Sequence, residues 1–264
     1  MEVVKSFFQS GHILKSLNHT IISLIPKVDL PTDLKQYRPI SLCNVLYKVI
    51  SKILANRLNP ILEHYISKSQ SVFVPNRQIL DNIIISHECL HFLKNKRQGK
   101  DGYTAIKLDM SKPYDRVEWD YLQAVMEKMG FNQVWIGWIM ECIRSVSYSF
   151  NINGETKEYV IPSRGIRQGD PLSPYLFLLC SEGLSNLLRN AARQELLSGL
   201  RISKHEPTIT HLFFADDTLI FCKAVGTETR KLKDILDQYE RGSGHVINLD
   251  KSFICFSKNT KERD

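Results

Sequence analysis

Two adjacent aspartates, Asp216 and Asp217, stand between Phe213-Phe214-Ala215 and Thr218-Leu219-Ile220-Phe221. Apolar run, acidic pair, apolar run is the pattern of a β-hairpin whose tip carries two negative charges. Neighbouring side chains on a strand point to opposite faces, so both carboxylates reach one ligand only where the chain bends. Like charges that converge repel, and a divalent cation is the natural partner. A solvated turn would use the same residues, because Asp suits turns. A second acidic site favours the cation. Tyr103-Thr104-Ala105-Ile106-Lys107-Leu108 reads as a strand that delivers Asp109 at its end, ahead of Met110-Ser111-Lys112. If the two strands are neighbours in one sheet, three carboxylates meet at its edge. Three carboxylates can hold two Mg²⁺ ions about 3.5–4 Å apart, the spacing of two-metal phosphoryl transfer.

Positioning these groups requires an ordered frame, and the sequence supplies its elements. Residues 21–27 read as a strand stopped by Pro26. A helix is expected from Asn44 to about Tyr65, with Val45, Val49, Ile53, Leu58 and Ile61 near one stripe and Pro60 as a kink. A second runs from about Ile79 to Lys96, ending in the cations Lys94, Lys96 and Arg97 before Gly99. After Asp109, Asp115 is expected to cap a helix carrying Val117, Tyr121, Val125 and Met129, closed by Gly130. Ser147 to Ile161 reads as a hairpin turning at Asn153-Gly154. Asp170-Pro171 reads as a helix cap followed by proline at the first helical position. A helix bearing Leu232, Ile235, Leu236 and Tyr239 precedes the turn Gly242-Ser243-Gly244. A final strand is expected from His245 to Phe256. Strands separated by helices without a repeated βαβ pattern indicate an α+β fold.

Composition sets limits. The chain carries 35 Lys+Arg against 28 Asp+Glu, a formal net charge of +7. That excess suits a polyanionic partner and equally an ordinary basic surface. Six cysteines are scattered without a C-x-x-C pair or a histidine at zinc spacing, as expected of reduced core residues in an intracellular protein. No apolar stretch approaches membrane-spanning length, and the N-terminal residues do not read as a signal peptide.

In this order, the motifs resemble the reverse transcriptase domain of plant LINE-type (non-LTR) retrotransposons. The resemblance rests on Leu24-Ile25-Pro26-Lys27, Tyr37-Arg38-Pro39-Ile40-Ser41-Leu42 and Leu108-Asp109-Met110-Ser111-Lys112. It continues through Gly165-Ile166-Arg167-Gln168-Gly169-Asp170-Pro171-Leu172-Ser173-Pro174, Phe214-Ala215-Asp216-Asp217 and Gly244-His245-Val246-Ile247-Asn248. It implies a right-hand polymerase, with fingers over residues 1–102 and a palm over residues 103–264. The palm would be an antiparallel sheet packed on helices with an inserted hairpin near 147–161. No thumb sequence follows Lys251 here, so fingers and palm alone are expected. The implied activity is RNA-directed DNA synthesis, with an RNA template, a DNA primer, deoxynucleoside triphosphates and two Mg²⁺ ions, Mn²⁺ being a substitute. An impaired retroelement remnant or a maturase-like RNA-binding module is the alternative. A nuclear location follows from the resemblance alone.

The resemblance also assigns roles. Asp109, Asp216 and Asp217 would hold the metals, and Lys251 would protonate the leaving pyrophosphate. Lys27 and Arg38 would grip the triphosphate, with Arg offering a fork to its oxygens. Met110 and Tyr114 would line the nucleotide site, Tyr114 as an aromatic wall against a ribose 2′-hydroxyl. Gln168 and Gly169 would meet the nascent base pair, and Asp170 would cap the following helix. One departure has a consequence for activity. Where the family reads Ala-Tyr-Asp, this chain has Pro113-Tyr114-Asp115. Proline lacks the N–H that would bind triphosphate, a loss of about 1.5–3 kcal/mol, roughly ten- to hundredfold in nucleotide use.

Overall fold

The computed structural model describes residues 2–215 and 217–260. In chain order its elements begin with α1 (Glu2–Ser10), β1 (His19–Pro26), β2 (Tyr37–Cys43), α2 (Val45–Leu58), α3 (Leu62–Tyr65) and α4 (Ile79–Asn95). Next come β3 (Tyr103–Leu108), α5 (Pro113–Arg116), α6 (Trp119–Lys128), α7 (Gln133–Arg144), β4 (Ser147–Ile152) and β5 (Glu155–Val160). Then α8 (Ser173–Arg193), β6 (His211–Phe214), β7 (Asp217–Lys223), α9 (Gly226–Ser243) and β8 (Phe253–Phe256) follow. This is the α+β class that the motif order implies.

Two compact units interleave along the chain. One comprises Met1–Ile61 and Tyr114–Leu179, the other Leu62–Pro113 and Cys180–Asp264. The chain passes from one to the other at 61/62, 113/114 and 179/180.

The first unit holds a mixed sheet of order β2-β1-β4-β5. β1 pairs antiparallel with β2 and parallel with β4. The hairpin at 147–161 thus extends the sheet begun by β1 and β2. Its turn is as expected: Asn153 and Gly154 both take positive φ, 53° and 85°, the mirror-image turn that matches strand twist. In α2 the expected stripe is corrected. Val45 is 75% exposed and Val49 42%, while Tyr47, Ile50, Ser51, Leu54, Ala55 and Leu58 are buried. Apolar residues lie on its exposed side as well, at Val45 and Val49, so a single apolar stripe did not mark the buried face. The helix stops at Leu58, and Pro60 sits in a short 3₁₀ turn before α3.

Asp115 is not a cap. It lies inside α5, and the longer α6 starts after Glu118, buries Leu122 and Met126, and gives way to Gly130 at φ 81°. Proline at position 113 suits the first position of α5. The preceding Lys112 takes φ 49°, a left-handed conformation that the following proline does not itself favour.

The second unit holds an antiparallel sheet of order β6-β7-β3-β8. Cys89 and Leu93 of α4 pack with Ala105, Leu212, Leu219 and Phe221 into its core. β6 is anchored by Asn82, whose Nδ2 donates to the Phe213 carbonyl at 3.0 Å. His211 lies buried between hydroxyls, its Nε2 3.0 Å from Ser185 Oγ and its Nδ1 2.8 Å from Thr210 Oγ1. α9 contains Gly242 and Ser243, and only Gly244, at φ 78°, ends it. The last strand is shorter than expected. Residues 249–251 form a 3₁₀ turn, and pairing resumes only at Phe253. Among the described residues no helix is long and apolar enough to cross a membrane.

Candidate active site

In the second unit, β3 and β7 are adjacent and antiparallel, with Lys107 opposite Leu219 and Leu108 opposite Thr218. One step further in that register lie Asp109 and Asp217, at the same end of neighbouring strands. Side chains two apart share a face. Lys107 and Asp109 therefore share one, and Asp217 shares it too, since its Oδ1 is 3.1 Å from Lys107 Nζ. Phe214 pairs with Asp217 across the β6–β7 hairpin, and Ala215 carries φ 58°, the positive φ of a tight hairpin turn. Asp216, expected beside them, lies outside the described residues.

Backbone bonds fix Asp109 from the other side. Its N–H donates to Ser252 Oγ at 3.1 Å, and its carbonyl accepts from Asn248 N at 2.8 Å. Ser111 N donates to the Val246 carbonyl at 2.8 Å, and Met110 bridges Ile247. Met110 is buried. Lys251 is exposed in the 3₁₀ turn beside Asp109's strand end, not on a strand as expected. The chain must leave the ladder there because Asn248 and Ser252 bond the Asp109 backbone. His245, which sequence reading left without a role, is buried in the same segment. Its Nε2 donates to the Pro113 carbonyl at 3.1 Å, so its Nδ1 accepts from Tyr239 Oη at 3.0 Å. The site's described donors are hard carboxylate oxygens, the chemistry that suits Mg²⁺. Among the described residues no group of three His, Cys, Asp or Glu forms a metal cluster.

The first unit carries Lys27, Arg38, Tyr114, Gln168 and Gly169. Lys27 and Arg38 are exposed on the β1–β2 hairpin, where Ile25 faces Arg38 and Lys27 N donates to the Gln36 carbonyl at 2.7 Å. Lys27 Nζ is taken up by the Lys35 carbonyl at 3.0 Å. The Gln168 carbonyl accepts from Ser41 N of β2 at 2.9 Å, which ties the Gln168-Gly169 turn to the same hairpin. Tyr114 stacks on Phe177 with ring centres 5.2 Å apart, and its carbonyl accepts from Ile166 N at 2.8 Å. Gly165 lets the two segments touch: a Cβ there would sit 2.8 Å from the Asp115 carbonyl oxygen. A cleft of about 250 Å³ opens beside the turn, lined by Ile22, Ser41, Asp115, Tyr148, Arg164 and Gln168 among others.

Arg167 is a second residue that sequence reading left without a role. It is buried, 3.3 Å from Asp170, with its guanidinium 3.7 Å from the centre of the Tyr47 ring. The available signal was an opposite-charge pair three residues apart around Gln-Gly. Asp170 accepts from Leu172 N at 3.0 Å, so it does cap the chain entering α8, but that helix begins at Ser173 and not at Pro171.

Comparisons with known proteins bear on this arrangement. A 149 kDa protein of transposon TX1 from Xenopus laevis is 29% identical over 95% of this chain and 18% of its own length. The Pol polyprotein of the type-2 retrotransposable element R2DM of Drosophila melanogaster is 26% identical over 96% of this chain and 23% of its own. An uncharacterized mitochondrial protein of Arabidopsis thaliana is 61% identical over 69 residues, 26% of this chain and 57% of that protein. The chain thus spans about a fifth of the two retroelement proteins. In fold it matches Candida tropicalis telomerase with a TM-score of 0.61 at 13% identity, over 94% of this chain and 42% of that one. The sequence pattern described as reverse transcriptase (RNA-dependent DNA polymerase) matches residues 25–262. With paired strand-end aspartates inside that span, the chain belongs to the reverse transcriptase family.

Proposed function

We propose that the chain is the fingers and palm of a non-LTR retrotransposon reverse transcriptase of plant type. It would add deoxynucleotides to a primer 3′-hydroxyl on an RNA template. The observation that carries this reading is the β3–β7 register, which brings Asp109 and Asp217 to one strand end in a chain of this family. The Arabidopsis relative supports the plant assignment. Residues 1–102 would serve as fingers and residues 103–264 as palm.

Asp109 and Asp217, with Asp216, would hold Mg²⁺. When bound, the metal supplies charge neutralisation at the phosphoryl oxygens and activates the attacking hydroxyl. The chain's own residues do the rest. Lys27 and Arg38 bind triphosphate oxygens, Arg38 through its planar fork. Tyr114, braced on Phe177, excludes a ribose 2′-hydroxyl. Gln168 and Gly169 meet the nascent pair, and Lys251 gives a proton to pyrophosphate. The Met110 backbone lines the nucleotide site beside Asp109.

Primer extension on an RNA template with Mg²⁺ or Mn²⁺ tests the reading. The parent chain should incorporate deoxynucleotides, and Asp109→Asn should lower the rate about a thousandfold, the several kcal/mol of metal-borne charge stabilisation. A second reading, an RNA-binding module without synthesis, draws support from Pro113, which offers no N–H to a triphosphate. RNA binding with no incorporation at high deoxynucleotide would establish that reading in place of the first.

A further inference from the structure

The turn Gln168-Gly169 is enclosed by the two most deeply buried opposite charges of its neighbourhood. Side chains of Arg167 and Asp170 are 2% and 3% exposed and 3.3 Å apart, whereas Gly169 between them is exposed. Each charge is held from a different element. Arg167 donates to Asn18 Oδ1 at 2.6 Å, Thr20 Oγ1 at 3.2 Å and the Cys142 carbonyl at 3.0 Å. Asp170 accepts from Tyr47 Oη at 2.6 Å and from Ser51 Oγ. Burial raises the Tyr47 hydroxyl well above its ordinary range, so it stays protonated and donates.

A buried ion pair is weak as a source of stability, because desolvation offsets most of its attraction. What it does supply is direction. Two charges that cannot leave their partners fix both ends of a two-residue turn whose glycine sits at φ 101°. The Gln168 carbonyl, already bonded to Ser41 N, then has one orientation.

We infer that Arg167 and Asp170 are positioning residues that hold the Gln168-Gly169 turn rigid for the incoming nucleotide. The inference rests on the polymerase reading for its functional half and on geometry alone for its structural half. Its measurements separate the two.

Tyr47→Phe removes only the hydroxyl that Asp170 accepts and keeps the ring beneath Arg167. Arg167→Lys keeps the charge and removes the fork. If Arg167→Lys unfolds the chain, Tyr47→Phe alone is read. In the full chain, hydrogen exchange at the Ser41 amide, which donates to the Gln168 carbonyl, should quicken more than tenfold, with the middle of α8 unchanged. Exchange left at the parental rate overturns the inference. In primer extension, KM for deoxynucleotide should rise about five- to tenfold with kcat within twofold. That rise should vanish in a Gln168→Ala background, since residues acting through one another are non-additive. Additive effects, or a fall in kcat at constant KM, would show a general structural role and overturn it. A parent chain without incorporation whose variants still loosen the turn overturns the polymerase reading and supports the structural half.

Discussion

Lys107 and Asp217 approach to 3.1 Å, and Arg167 and Asp170 to 3.3 Å, yet the two pairs have opposite surroundings. The first is 34% and 40% exposed at the end of the β3–β7 ladder. Water screens it, the pair is worth at most about 1 kcal/mol, and an arriving cation can take the carboxylate from the lysine. The second is shut away from water, and its partners are hydroxyls, carbonyls and an aromatic face. Separation therefore says little about what a pair does. On the proposed reading, a carboxylate that holds a ligand is placed by its backbone and left available, while one that fixes a turn is buried and bonded.

Asp170→Asn and Asp217→Asn put the largest strain on this contrast. Removing the buried partner should destabilise the chain by about 3–5 kcal/mol, because Arg167 is left with an uncompensated charge. The exposed substitution should change stability by less than about 1 kcal/mol. Urea unfolding of both variants measures this, and equal losses would erase the distinction.

His211 offers a third environment, a buried titratable group with hydroxyl partners. Burial first, then the Arg189 charge, depress its pKa from 6.5 to about 3. The unfolded chain takes up that proton near pH 6.5 and the folded chain only near pH 3. Stability from this site is thus complete above about pH 6.5 and declines as the pH falls toward 3. Between pH 7 and pH 5 the parent should lose about 2 kcal/mol more than His211→Asn. Parallel pH profiles of the two chains would show that burial is relieved before the proton arrives.

The smallest expected effect lies at the join after Asp109. Pro113→Ala restores an N–H at the residue before Tyr114. Nucleotide use should improve about tenfold, read as a lower KM in primer extension. Unchanged kinetics would show that His245, through the Pro113 carbonyl, already sets this turn.

Much of the frame could be read from the chain alone, and the limits fall where contacts become long-range. The Asn153-Gly154 turn, the α4 boundaries and the end of β3 just before Asp109 follow from dihedral preferences and periodicity within a few residues. The buried face of α2 did not follow. Tyr47 and Ser51 bond Asp170, more than a hundred positions away, and a helix with valines on its exposed side carries little local mark of that choice.

The sequence by itself pointed to acidic groups at the ends of strand-like runs and to Asp170 as a cap before a helix, while resemblance to a family singled out Arg38, Gln168 and Gly169. Each is a matter of residue type and its nearest neighbours. Only the tertiary structure decided that Asp109 and Asp217 share a strand end, that Lys251 sits in a 3₁₀ turn, and that Arg167 and Asp170 are buried. The physical reason is that pairing and burial depend on segments distant in the chain, and a charge has the same letter in water as in a core.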